Sequence, residues 1–228
     1  MESQGPSLDV AAEVRIAETR ARPHLLTTPV VPSVGLTPEV GSPVRLKCEN
    51  LQHTGSFKAR GAVNKVLSLT PEELERGIIT ASTGNHGAAV AYASGIVGAQ
   101  ALVVVPENAN PSKLAAIERL GAHIHVLGRD SVDSELGARA LAEEREATFV
   151  SPYNDPAIIG GQGTLGLELL DEVDDLAAVF VAVGGGGLAS GVAGIIKAER
   201  PGVRIIGCSP AASAVMYHSL RAGEILEL

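Results

Sequence analysis

The stretch "AVFVAVGGGGLASG", residues 178–191, runs from strand-forming residues through four glycines, Gly184 to Gly187, into an alanine-rich segment. Strand, glycine turn and helix in that order form the repeating unit of an α/β fold. Residues without Cβ let successive backbone N–H groups converge at a helix N-terminus, where the helix dipole adds positive potential, so the turn suits a phosphate. A close-packed strand-to-helix turn is the competing reading. Four glycines would each cost about 1 kcal/mol in regular structure, which favours the anion loop. Two nucleotide loops can be set aside. Leu188, Ala189 and Ser190 lack the lysine of a Walker loop, and Cys208-Ser209-Pro210 stands where a dinucleotide fold places a ribose-binding acid.

The same unit recurs along the chain. Further apolar, strand-like runs are "VRLKC" (44–48), "GIITAS" (77–82), "ALVVVP" (101–106), "HIHVL" (123–127) and "RIIGCS" (204–209). Segments of helical periodicity separate them, which implies a largely parallel sheet covered on both faces, and the fold class is α/β. Thr70, Pro71 and Glu73 spell a capping box, Asn110-Pro111 starts another helix, and Gly121 closes it. No change in composition marks a domain boundary.

Composition narrows the function. The 228 residues are 45% hydrophobic and 19% charged, with a formal net charge of −8 and no basic run, which argues against a nucleic-acid or anionic-membrane partner. The N-terminal segment is acid-bearing and lacks the apolar core of a secretory signal, and no stretch of about 18 apolar residues follows. Cys48 and Cys208 lack metal or redox spacing and read as reduced core residues, which suits the cytoplasm. His123 and His125 alternate along a strand with no third ligand, so no metal site is expected there, and His24, His53 and His218 are uninformative.

Two further glycine-bearing turns carry chemistry. In "ASTGNHG" (81–87), Ser82, Thr83, Gly84, Asn85 and His86 open a helix and can bind a carboxylate, although an ordinary N-cap would look the same. In "TGSFKARGA" (54–62), Lys58 falls in a first helical turn, where dipole and burial beside Phe57 both favour the neutral, nucleophilic amine. A lone lysine that snorkels to water is the bland alternative. A phosphate loop, a carboxylate loop and a candidate Schiff-base lysine together describe a site for pyridoxal phosphate and an amino acid.

"TGSFKARGA", "ASTGNHG", "GQGT" (161–164) and "GGGGL" (184–188), in this order, resemble the serine/threonine dehydratase group of fold-type II pyridoxal-phosphate enzymes, which includes threonine ammonia-lyases and serine racemases. The resemblance implies two three-layer α/β domains with largely parallel twisted sheets, the tryptophan synthase β-like fold. By analogy, residues 52–148 form a small domain inserted into a large cofactor-binding domain of residues 1–51 and 149–228. It also implies that Lys58 forms the Schiff base with pyridoxal 5'-phosphate, that Phe57 packs on the pyridine ring, and that Asn85 hydrogen-bonds the ring 3-oxygen. Gly184, Gly185, Gly186, Gly187 and the Leu188 N–H hold the phosphate, while Ser82, Thr83, Gly84 and His86 take the substrate carboxylate. A homodimer is implied as well.

Ala59, where synthases of the group carry aspartate, and "GNHG" rather than "GNTG" favour elimination. The expected activity is that of an ammonia-lyase: elimination of water from L-threonine, L-serine or a hydroxyaspartate-type amino acid, followed by hydrolysis of the released product in water to a 2-oxo acid and ammonia. Thr83 supplies a hydroxyl where racemases carry serine, so racemisation stays open beside β-replacement. Ser209 replaces the acid that supports a divalent metal in racemase-like relatives, so no magnesium site is expected. Relatives continue beyond "HSLRAGEILEL", which suggests that the C-terminal part is missing, with the pyridine-nitrogen partner in it, and leaves an inactive remnant as a further alternative.

Overall fold

The computed structural model describes residues 8–226. The chain begins with α1 (Val10–Ala21), β1 (Val30–Pro32), α2 (Leu36–Val40), β2 (Arg45–Lys47), α3 (Lys58–Val66) and α4 (Pro71–Arg76). It continues through β3 (Ile78–Ala81), α5 (Asn85–Val97), β4 (Ala101–Val105), α6 (Pro111–Glu118), β5 (His123–Val126), α7 (Ser131–Glu144) and β6 (Thr148–Phe149). Then follow α8 (Pro156–Glu172), β7 (Ala178–Ala182), α9 (Gly187–Glu199), β8 (Arg204–Cys208) and α10 (Val215–Ala222).

Strands β5, β4, β3 and β6 form one sheet in that order, parallel throughout, with Ile78 opposite Ala101 and Val103 opposite Ile124. Their nearly unbroken apolar sequences follow from coverage on both sides. Ile78, Val103 and Val105 pack with Ala59, Val63, Ala89 and Val90 of α3 and α5, while Ile79 and Val104 point the other way, onto Ala138 and Ala142 of α7. The capping box at Thr70 is formed, with Thr70 Oγ1 accepting the Glu73 N–H and the Glu73 carboxylate accepting the Thr70 N–H. Asn110 caps α6 by accepting from Ser112 N. β6 ends at Phe149, which pairs with Ile79, so this sheet runs across residue 148.

Two expectations are corrected. "VRLKC" is not a buried strand of a parallel sheet: β2 pairs antiparallel with β1, and Leu46 is largely exposed. Its partner "VVP" is short and ends in a proline that donates no ladder hydrogen bond, which places it at an edge. The strand at 178–182 pairs in parallel with β8, but only one side is covered among the described residues. Val179, Val181 and Ile205 face α9 and its neighbours, while Phe180, Ala182 and Cys208 face outward. Cys208 is therefore exposed and Cys48 only partly buried; both are free thiols, but neither is a core residue.

Helices α1, α3, α8 and α9 pack around the segments that carry the motifs. "GQGT" lies inside α8, where its glycines let helix backbones meet. A Cβ on Gly161 would stand 2.6 Å from the Arg60 carbonyl oxygen, and one on Gly163 would stand 2.8 Å from the Gly191 oxygen. Both contacts forbid alanine and bring α3 and α9 onto α8.

Candidate active site

Lys58 is the first residue of α3, reached through a bent loop whose entry is pinned by Gln52. The buried Gln52 amide donates to the Leu26 carbonyl and accepts from the Leu26 N–H. The side chain is partly buried. Lys58 Nζ donates to the Pro152 carbonyl and lies 5.4 Å from the Phe57 ring centroid, and burial lowers its pKa from 10.5 to about 8. A carbonyl accepts a hydrogen bond but brings no negative charge, so no counter-charge offsets the desolvation. Phe57 itself caps α3 and packs into the cluster of Val14, Leu165 and Val192.

The segment Val150–Tyr153 joins the three turns. The Val150 carbonyl accepts from Thr80 Oγ1 and from His86 Nε2 at 3.1 Å; Pro152 holds Lys58; Tyr153 lies against the tetraglycine bend. A Cβ on Gly185 would stand 2.3 Å from the Tyr153 ring and one on Gly187 2.8 Å from its carbonyl oxygen, whereas Gly184 faces open space. Gly186 has φ +88°, a left-handed conformation that favours glycine. Among the described residues the N–H groups of Gly184 through Ala189 meet no hydrogen-bond acceptor, and Leu188 packs into the core beside them. Tyr153 also lines an open cavity of about 310 Å³ with Ser131, Val132, Glu135 and Leu136 of α7. A second cavity, of about 190 Å³ beside Arg76, Gln100 and His123, lies at the other end of the sheet, where β3, β4 and β5 begin.

The loop after β3 leads directly into α5. Ser82, Thr83 and Gly84 are partly buried, Asn85 is exposed in the first turn of the 13-residue α5, and the N–H groups of Asn85, His86 and Gly87 have no acceptor among the described residues. The His86 side chain, however, turns into the core. Burial first, and the nearby Lys58 charge second, push its pKa down to about 3 against the Val150 hydrogen bond. The ring is thus neutral at pH 7, with Nε2 donating to Val150 and the buried Nδ1 without a partner. The motif's contribution to the loop is therefore the His86 backbone.

Sequence reasoning missed the ionic cluster behind Lys58. Arg60 is fully buried, and its guanidinium donates to both oxygens of Glu49 (2.7 and 2.8 Å) and both of Glu168 (2.7 and 2.9 Å). Lys47 and Arg22 reach Glu168 as well, at 2.7 and 2.8 Å. Burial alone would raise the Glu168 pKa, but Arg60 and then Lys47 bring it down to about 2. The available signal was an acid, Glu168, inside the apolar stripe "LGLELL".

These features fit pyridoxal phosphate: unsatisfied amides beside open space at Gly184, a partly desolvated amine that donates to the Pro152 carbonyl, one residue before the Tyr153 side chain that backs them, and buried Thr54 and Ser56 hydroxyls without partners in the loop before Lys58. A family model for pyridoxal-phosphate dependent enzymes matches residues 21–228. The chain is 40% identical over 215 residues to an L-threonine ammonia-lyase of Geobacter sulfurreducens, covering 94% of this chain and 54% of that protein. It is also 40% identical over 228 residues to a serine racemase of Oryza sativa subsp. indica, covering 100% and 67%. Among solved structures, maize serine racemase superposes with a TM-score of 0.91 at 37% identity over 96% of this chain and 66% of that one. The processed form of threonine deaminase isoform 2 from Solanum lycopersicum gives 0.93 at 33%, over 100% and 67%. The chain thus spans between 54% and 67% of the length of these relatives. With its motifs gathered on one backbone segment and a family match over nearly its whole length, the chain belongs to the pyridoxal-phosphate dependent enzymes.

Proposed function

We propose that the protein acts as an ammonia-lyase on a β-hydroxy amino acid such as L-threonine, L-serine or a hydroxyaspartate, releasing a 2-oxo acid and ammonia. One observation carries the reading: the lowered-pKa amine of Lys58 and the tetraglycine bend are both bound to the dipeptide Pro152-Tyr153. Relatives named L-threonine ammonia-lyase support it.

In this reading the free amides of Gly184 to Leu188 hold the cofactor phosphate, Asn85 faces the ring 3-oxygen and Phe57 the ring. The substrate carboxylate sits on Ser82, Thr83, Gly84 and the first amides of α5, where hydrogen bonds and the dipole act together. When bound, pyridoxal phosphate supplies an electron-accepting ring that takes up the negative charge left at Cα. Lys58, neutral in an appreciable fraction near pH 8, removes the Cα proton. Pro152 keeps that amine oriented through its carbonyl. Residues 52–148 closing toward the rest of the chain would exclude water, and the assembly would be a cytoplasmic homodimer.

Racemisation is the second reading, favoured by the half-buried Thr83 in the same loop and by relatives named serine racemase. Thr83 would return a proton to Cα from the face opposite Lys58.

The test is borohydride reduction of the full chain mixed with pyridoxal phosphate, followed by peptide mapping. A phosphopyridoxyl group on Lys58, absent after Lys58→Ala, is expected, together with 2-oxo acid from L-threonine or L-serine. An unlabelled Lys58 sinks the proposal; D-amino acid in place of 2-oxo acid selects the second reading.

A further inference from the structure

Arg60 follows Lys58 by two residues, and at 3.6 residues per turn the two side chains leave α3 about 200° apart, on opposite faces. One face carries the amine to Pro152; the other carries a fully buried guanidinium into the carboxylates of Glu49 and Glu168. Arg60 also reaches Thr164 Oγ1 at 3.2 Å, so its donors engage both the segment before α3 and the middle of α8. A planar fork held along two edges fixes direction as well as distance, which a lysine's point charge does not. The close approach of Gly61 to α8 sets how near the helices lie, but bare backbone against backbone restrains rotation weakly.

We propose that Arg60 is a positioning residue for Lys58: clamped between Glu49 and Glu168, it fixes the rotation of α3 about its own axis so that the Lys58 amine meets the Pro152 carbonyl. Buried ion pairs are seldom the most stable solution, because desolvation offsets the Coulomb gain, and well-packed apolar residues often do as well. What such a cluster supplies here is one orientation. Lys65, on the same helix, makes a separate ion pair with Asp155, but it sits at the far end of α3 and restrains the first turn less. The inference rests on Lys58 being the cofactor anchor.

The experiment follows the amine directly. In the full chain without added cofactor, the labelling of Lys58 by an acylating reagent is measured against pH by mass spectrometry, with circular dichroism confirming the fold. Wild type is expected to reach half-labelling near pH 8. Arg60→Lys keeps the charge and loses the fork. The pair Glu49→Gln with Arg60→Met removes one charge of each sign and leaves Glu168 to Lys47 and Arg22. In both, a rotated α3 exposes the amine further to water, so the midpoint should rise by about one unit or more, and borohydride-trapped pyridoxal phosphate at pH 8 should fall about fivefold.

An unmoved midpoint in folded variants overturns the proposal and leaves Arg60 a packing residue. If neither variant folds, Thr164→Val deletes a single contact of the fork; a smaller rise supports the proposal and no rise overturns it. A wild-type midpoint near 10.5 would remove the anchor reading itself, which separates the two failures.

Discussion

The two faces of α3 bury a cation each and treat it in opposite ways. On one, Arg60 meets two carboxylates and keeps its charge, its pKa raised by Glu49 and Glu168 against the cost of burial. On the other, Lys58 meets a carbonyl and an aromatic ring, and its pKa falls to about 8. Burial is common to both, so it is the counter-charge that decides which amine can be a nucleophile and which guanidinium can only be a strut. His86 likewise lacks an acid partner, and its fully buried ring is neutral at pH 7.

The strongest way to break the comparison is to remove one side. Lys58→Ala should abolish the borohydride-trapped adduct and lower turnover by at least about 10³-fold, while thermal melting stays near wild type. Arg60→Met should act chiefly on stability. Leaving Glu49 and Glu168 without their common partner should cost about 3–5 kcal/mol in urea unfolding, most of it recovered when Glu49→Gln is added.

Acid sharpens the contrast. His86 has a folded pKa of about 3 against an ordinary value of 6.5, so the unfolded chain binds the extra proton between those values. Stability should therefore fall by up to about 1.4 kcal/mol per pH unit as the solution drops below 6.5, and His86→Gln should flatten that slope. Glu168, lowered from 4.5 to about 2, contributes stability that is fully present above pH 4.5 and is lost as pH falls through 2. The His86 contribution is thus lost before that of Glu168, and urea midpoints at a series of pH values would show it. The smallest effects lie at the bend. Gly185→Ala drives a methyl into Tyr153 and should cost about 1–3 kcal/mol, whereas Gly184→Ala faces open space and should stay within about 0.5 kcal/mol, as differential melts would read.

Much of this was legible beforehand. The apolar runs at 77–82, 101–106, 123–127, 178–183 and 204–209 became strands, and the boxes at Thr70 and Asn110 became helix starts, because each depends on neighbours a few residues away. Lys58 fell in a first turn for the same reason. The short strands β1 and β6 carry too few residues for a period to emerge. The exposure of Cys208 escaped because an apolar strand does not say whether one or both of its faces are covered.

The chain by itself determined an α/β fold with glycine-bearing turns at helix N-termini, since strand alternation, caps and missing Cβ atoms act over a few residues. Only the tertiary structure decided which turns meet and which cations stay charged. Arg60 and Glu168 are 108 residues apart, Lys58 and Pro152 are 94 apart, and protonation depends on the groups that packing places within a few ångströms.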